Sequence, residues 1–391
     1  MALKEEQLEG RGRGMVAARA LRGGEELLCE TPLLVYQDEE AANTNTFCSH
    51  CLCFLESRGK PITQCPSCTS VFCSSRCLQS ESHNHRLCKA LSHLKTSDLK
   101  SDNRTLARFL IAAYNLALEL PASFQILMSL EGMEFVDDNV HDLHDFLIEA
   151  LHGSDVDPLG FSVDLTGALL AKDACNAFGL MAPSCESGER KMRGYAIYNR
   201  SSLFNHDCLP NACRFEYIDK PGNSNLDVHI RALHDIEEGT EICISYFPIN
   251  WTFGDRQKKL EEEYGFQCEC DRCRVEKDWS DGEDEDNEDA AVKGKPLEDA
   301  ERTSKGKAKN QEATDEADED DDDDFGHAMF FVKYLCPVDD CGGTMAPLSP
   351  KHSHMRSGAA VGPMECNYCG HLRTEEEFLH DLEEHKLLDD D

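Results

Sequence analysis

Tyr264-Gly265-Phe266-Gln267-Cys268-Glu269-Cys270-Asp271-Arg272-Cys273 is the stretch on which the reading of the chain turns. Its Cys-x-Cys-x2-Cys spacing offers three thiolates from one short turn, and Zn2+ takes four soft N or S donors in a tetrahedron. A fourth ligand must therefore come from elsewhere in the chain. Tyr264 and Phe266 directly precede the thiolates, so whatever fixes a metal there also fixes two aromatic side chains.

Working outward, the chain of 391 residues holds 21 cysteines, too many for buried apolar use alone. In a reducing compartment clustered thiols bind metal rather than pair. Cys48-x2-Cys51, Cys65-x2-Cys68, Cys73-x3-Cys77 and a histidine before Cys88 supply eight ligands, enough for two sites. Such modules interleave, the first and third pairs sharing one ion and the second and fourth the other. The spacing resembles a MYND zinc finger. It departs from that pattern at its end, where His-x3-Cys is usual: here His83 lies x4 and His85 x2 before Cys88, and either imidazole could reach. Four protein ligands per ion leave no open position for water, so these ions are structural. Near the C-terminus, Cys336-x4-Cys341-Gly-Gly and Cys366-x2-Cys369-Gly read as the two knuckles of a zinc ribbon, and the preceding Phe330–Leu335 run as a strand. Cys29, Cys53, Cys175, Cys185, Cys213 and Cys243 stand outside these groups and read as small apolar side chains.

The formal net charge is −36, unevenly spread: residues 281–324 carry 20 acidic and 6 basic side chains, a solvated low-complexity linker by composition. Direct grip on a nucleic-acid backbone is disfavoured, because no basic stripe is present. A basic protein partner fits the field better. With no signal-peptide pattern and no apolar run of membrane-spanning length, the expected setting is nuclear or cytoplasmic, with no membrane partner. Between these features the hydrophobic period changes. The first forty-odd residues alternate as strands. Leu106, Phe109, Leu110, Ala113, Tyr114 and Ala117 then recur at helical spacing, and Ala168 to Asp271 returns to short strands broken by turns, with a helix near Asp255–Glu263.

Asn205-His206-Asp207-Cys208-Leu209-Pro210-Asn211, Ile244-Ser245-Tyr246-Phe247, the 264–273 stretch and Gly12-Arg13-Gly14 together resemble the SET-domain lysine methyltransferases in order, spacing and residue type. A MYND-like finger between the first strands and a helical insert is the arrangement of the SET–MYND family, here similar to a plant-type short member. The resemblance implies an α+β, zinc-rich fold of small SET sheets interrupted by the finger and the insert. Its expected parts are the SET N-terminal part (5–46), the finger (47–88), the helical insert (89–165) and the SET C-terminal core (166–250). A post-SET segment (251–275), an acidic linker (276–324), the ribbon-like unit (325–372) and an acidic tail (373–391) follow.

The same resemblance implies methyl transfer from S-adenosylmethionine to a lysine of a basic protein such as a histone tail, in chromatin regulation. Tyr246 is the implied catalytic residue. Gly12, Arg13, Gly14, Asn176, Asn205, His206, Tyr246 and Phe266 would contact the cofactor, with Asn205 and His206 bonding its adenine and amino-acid ends and Phe266 stacking on the adenine. Tyr198 and Tyr264 would wall the lysine channel. Cys208 would complete the Cys268–Cys270–Cys273 site, for about four zinc ions in all. Proline-rich peptides are the implied partners of the finger, and a catalytically weak interaction module is the competing reading. Tyr246 alone would read as a strand-core tyrosine; the Glu237-Glu-Gly-Thr-Glu turn before it favours the catalytic role.

Overall fold

Strand pairing in this chain joins segments far apart in sequence, and the insertions loop out between them. The computed structural model describes residues 1–55, 62–133, 139–151, 161–182, 190–280, 323–348 and 363–388. Cys185, most of the expected acidic linker and the end of the tail lie outside the described residues. Leu3–Leu8 and Gly12–Ala17 form an antiparallel hairpin. Glu26–Glu30 pairs with Val228–Ala232, whose other edge takes Ala212–Phe215. Leu34–Tyr36 pairs with Met192–Ile197, flanked in turn by Phe178–Met181. Asn205–His206 runs parallel to Cys243–Ile244, and a bridge from Val16 to Glu241 brings the N-terminal hairpin beside that pair. Residues of the first strands, residues 205–206 and residues 241–244 thus converge on one spot. The inner faces bury Met15, Ala17, Leu28, Ile230 and Ile244 as one core.

The helical insert builds a second core. Helix Ser101–Glu119 buries Phe109, Leu110, Ala113, Tyr114 and Ala117, the periodic stripe expected of it, with Leu106 packed at its edge. It packs among helices His85–Thr96, Val140–Leu151 and Val163–Asn176 and against Leu34–Tyr36. Fully burying one such side chain contributes about 1.5–3 kcal/mol. Two helices ignore the expected boundaries. His85–Thr96 starts inside the finger, because Asn84 caps it by accepting from the Leu87 N–H. Val163–Asn176 runs through the boundary set at 165/166, because Ser162 is its cap. The expected helix near residues 255–263 is present as Phe253–Lys259, continued by a π-helical turn, Leu260–Tyr264.

The Phe330–Leu335 run is not a strand: it ends helix Asp323–Tyr334. Phe330 and Tyr334, four apart, present their rings on one face with centroids 4.9 Å apart. Helix and strand are hard to separate in so short an apolar run. Beyond it, Met345–Pro347, Met364–Cys366 and Leu372–Arg373 form a three-stranded antiparallel sheet. This unit is docked on the SET sheets: Cys213, Phe215 and Leu233 share a core with Tyr334, Met345 and Met364. The Arg231 guanidinium lies over the Phe215 ring at 3.8 Å and pairs with Glu365 at 3.0 Å. The finger is tied down as well. Arg193, fully buried, donates to the Leu52 carbonyl of the finger, to the carbonyls of Met181 and Asn225, and to Glu216.

One buried contact makes the helical core sensitive to pH. The Tyr36 hydroxyl donates to Asp173 Oδ1 at 2.6 Å, and burial raises the Asp173 carboxyl to about 7. A carboxyl whose folded pKa lies above its unfolded value binds its proton more tightly in the native state. Its contribution is therefore full below about pH 4 and is lost as pH rises through about 7. Asp173→Asn should keep the Tyr36 bond, melt at or above the wild-type temperature at pH 8, and flatten the fall in melting temperature between pH 5 and 7. Thermal melts of both proteins across that range check this; an unchanged slope assigns the dependence to other groups.

Candidate active site

Two cavities meet where the converging strands end. The larger, about 780 Å3, is walled by residues 10–13, 131–133, 205–207 and the 266–271 stretch. The smaller, about 390 Å3, lies on the other side of the same residues, among Phe178, Arg214, Phe247 and Trp251. Cys175, Asn176, Ser202, Tyr246 and Tyr264 line both, so they form the neck between them. Tyr246 is fixed there from three sides. Its hydroxyl donates to the Phe204 carbonyl at 3.0 Å, its backbone N–H donates to His206 Nδ1 at 3.2 Å, and its ring lies 4.8 Å from that of Tyr264. Burial pushes the Tyr246 phenol well above its ordinary range and Tyr264 up to about 12, so both stay protonated.

The thiolates that organise this region fall into four groups with ligand atoms within 4.8 Å of one another: Cys48/Cys51/Cys73/Cys77, Cys65/Cys68/His83/Cys88, Cys208/Cys268/Cys270/Cys273 and Cys336/Cys341/Cys366/Cys369. A tetrahedron with Zn–S of about 2.3 Å has S···S edges of about 3.8 Å. The sulfurs are spaced accordingly: 3.7 Å for Cys51–Cys73, 3.6 Å for Cys65–Cys88, 3.9 Å for Cys208–Cys268 and 3.7 Å for Cys336–Cys369. Zinc fits all four groups. The finger's candidate ligands fall into interleaved groups, and of its two histidines His83 belongs to one. His83 Nε2 lies 3.3 Å from Cys68 Sγ, with Nδ1 held 2.9 Å from the Leu78 carbonyl, a contact that orients a ligating imidazole. His85 stands outside that group and opens the following helix.

The third group reaches the neck through one imidazole. His206 Nε2 lies 3.2 Å from Cys208 Sγ, while Nδ1 accepts from the Tyr246 N–H. Burial pushes this ring down to about 3, so it is neutral, with its single proton on Nε2 facing the thiolate. Both ring nitrogens are thereby used inside the protein, and the ring is not free to bond a cofactor as expected. Arg256, fully buried, donates to Cys208 Sγ at 3.2 Å, to the Trp251 carbonyl and to Glu276.

The remaining expected residues divide. Gly12, Arg13, Asn176, Asn205 and Phe266 line the larger cavity. Phe266, 39% exposed, offers an uncovered aromatic face there. Asn205 donates to Glu241 at 2.8 Å, and Asn176 to the carbonyls of Glu131 and Lys172. Gly14 does not line the cavity: a Cβ there would collide with Leu8 Cδ1 of the paired strand and crowd Asn205 Nδ2 at 3.0 Å, so its role is to let Leu8 and Asn205 pack closely. Tyr198 lines neither cavity. Its ring is fully buried, edge-on to Phe178, and its hydroxyl donates to the Leu226 carbonyl at 2.6 Å. Gly265, at φ +72°, ends the turn before Phe266, where a Cβ would collide with Met133. One cavity residue had no sequence signal. Arg11 donates to the His206 carbonyl at 2.9 Å and pairs with Glu241 at 3.0 Å, joining the N-terminal turn to the 205–206 strand. Pairings distant in sequence, that of Val16 with Glu241 among them, bring them together.

The profile of the SET domain matches residues 12–247. The chain belongs to the SET-domain family. It is 41% identical over 96% of its length to histone-lysine N-methyltransferase ASHR2 of Arabidopsis thaliana, and spans 96% of that protein. It is 26% identical to N-lysine methyltransferase SMYD2-B of Xenopus laevis and 28% identical to histone-lysine N-methyltransferase SMYD3 of Mus musculus, over 68% and 70% of this chain. It spans 59% and 62% of those two animal relatives. Within the SET-domain family these matches place it in the SET–MYND branch.

The ligand assignments have a direct test. Elemental analysis of the purified chain should return about four zinc ions. His83→Ala should return about three and His85→Ala about four, since only the former removes a ligand. Equal loss in both variants would contradict the geometry at His83.

Proposed function

We propose that the chain is a protein-lysine N-methyltransferase that uses S-adenosylmethionine, with the larger cavity holding the cofactor and the smaller one the acceptor lysine. The observation that carries this reading is the pair of cavities joined at a neck formed by Tyr246 and Tyr264. An in-line displacement needs donor and acceptor on opposite sides of one narrow passage. S-adenosylmethionine supplies a methyl group on a sulfonium. Gly12, Arg13, Asn176 and Asn205 wall its side of the neck, and the open face of Phe266 suits a planar base. Tyr246, its phenol neutral and aimed by Phe204 and His206, would steer the methyl through C–H···O contacts.

Among the described residues forming the neck no base is poised near neutrality: its titratable groups are Cys175, Tyr246 and Tyr264, all raised by burial. The acceptor amine must therefore enter already neutral, and its aromatic surroundings lower its pKa by dehydrating it. The chain's negative charge, −36, favours a basic protein such as a histone as the acceptor and a role in chromatin regulation. The relatives' names as histone-lysine methyltransferases support the same class.

Two measurements test this. Tyr246→Phe removes one hydroxyl and keeps the ring. It should melt near wild type, bind S-adenosylmethionine unchanged in calorimetry, and lose on the order of 90% or more of labelled-methyl transfer to histones. Transfer as fast as wild type would remove Tyr246 from the chemistry. Separately, kcat/KM for the acceptor should climb steadily between about pH 7 and 9, following deprotonation of the free amine, whose ordinary pKa is about 10.4. A plateau reached below about pH 8 would point to a protein base.

A further inference from the structure

The ribbon-like unit at the C-terminus does more than cover the SET core. Thr344, Asn367 and Tyr368 all line the smaller cavity, so this unit supplies part of its wall. A unit that only capped the core would have no reason to send side chains there. Asn367 is fixed across the joint: its Nδ2 donates to the Arg214 carbonyl at 2.9 Å, and its Oδ1 accepts from the Thr344 N–H at 2.7 Å. Tyr368 is held beside it, the Arg190 guanidinium lying 4.2 Å from its ring centroid. The Arg231–Glu365 pair anchors the unit independently of either side chain, and the shared core, against which Tyr368 also packs, adds to it.

The rest of the wall is apolar and aromatic. Phe178 and Met192 face inward, and Trp251 stacks on Phe247 with ring centroids 5.3 Å apart and planes 2° from parallel. Among the described residues lining this cavity there is no carboxylate. Its charged groups are Arg214 and Lys259, whose partners Glu216 and Glu263 lie outside the lining. A basic side chain entering beside the acceptor lysine would lose water, meet two cations and find no counter-charge. An apolar one would be buried against aromatic surface.

We propose that the C-terminal unit is a specificity element of the acceptor cavity: Tyr368, braced by Asn367 and Thr344, reads a residue next to the acceptor lysine and favours an apolar neighbour over a basic one. This rests on the methyltransferase reading above. It separates two scales of recognition. The long-range negative field gathers basic proteins, while the cavity selects among their lysines by the side chains immediately beside them.

The test is an oriented library of peptides with one central lysine and randomised neighbours, incubated with S-adenosylmethionine carrying a labelled methyl group. The full chain, Tyr368→Ala and Tyr368→Leu are compared, with zinc content, melting temperature and cofactor affinity measured for each. Wild type should enrich apolar neighbours. Tyr368→Ala should lose that preference by about tenfold in kcat/KM, the scale of one pocket contact, with cofactor affinity unchanged. Should Tyr368→Ala lose the zinc of the ribbon, Tyr368→Leu, which keeps side-chain bulk, is read in its place, and an altered preference is again expected. Enrichment of basic neighbours by wild type, or an unaltered preference in a variant that keeps its zinc, overturns the proposal and leaves the methyltransferase reading standing. Wild type that binds S-adenosylmethionine yet labels neither the library nor histones overturns that reading, and this proposal with it.

Discussion

The sulfur of Cys208 holds the functional half of the molecule together. It lies 3.5 Å from Cys273 Sγ and 3.9 Å from Cys268 Sγ, and receives Arg256 Nε and His206 Nε2 at 3.2 Å each. Four thiolates around a dication carry a net charge of about −2, which is costly in a buried site unless paired. Arg256 supplies that pairing from a fully buried position, and its remaining donors hold the Trp251 carbonyl and Glu276. One cluster therefore fixes the 205–211 loop, the turn bearing Trp251 and the 264–273 stretch. The larger cavity has Phe266 on its rim and the smaller has Trp251 in its wall only because these three segments are joined there.

The neck inherits its geometry from the same cluster. His206 lies between the thiolate and the backbone of Tyr246, so the position of the tyrosine depends on a bond made two residues from the metal group. Arg11 and Glu241 close the arrangement from the opposite side. A site assembled from so many short segments needs rigid joints rather than long elements, and the small sheets supply little rigidity by themselves. The zinc groups and the buried arginines take that role.

Much of this was legible in the sequence, and the part that was not has a physical reason. Ligand spacing is local, so the paired thiolates could be read directly; their interleaving and the membership of Cys208 rested on the family resemblance, and the histidine of the finger needed coordinates, because His83 and His85 are only two residues apart. The periodic stripe of the Ser101–Glu119 helix is local in the same way. Tyr198 was misplaced because sequence cannot say which face of a buried strand end a tyrosine takes; its hydroxyl found a carbonyl in the core instead of the channel. His206 was assigned to the cofactor because its motif marks the place, while the partners of its ring come from residues 208 and 246. Arg11, Trp251 and Tyr368 carried no signal, since their proximity to the site is created by pairings across most of the chain.

Arg193 bears on how the finger came to reside inside another fold. Its guanidinium has no exposure to water and relies on the Leu52 carbonyl in the finger as well as on Met181, Asn225 and Glu216 in the sheets. Removing the finger would strand a buried cation with part of its coordination missing, a loss of several kcal/mol. An insertion that begins as a tolerated surface loop becomes, once such a residue is in place, a graft the host can no longer shed. The two then unfold as one cooperative body, and the finger's evolution is constrained by the stability of the sheets as much as by anything it binds.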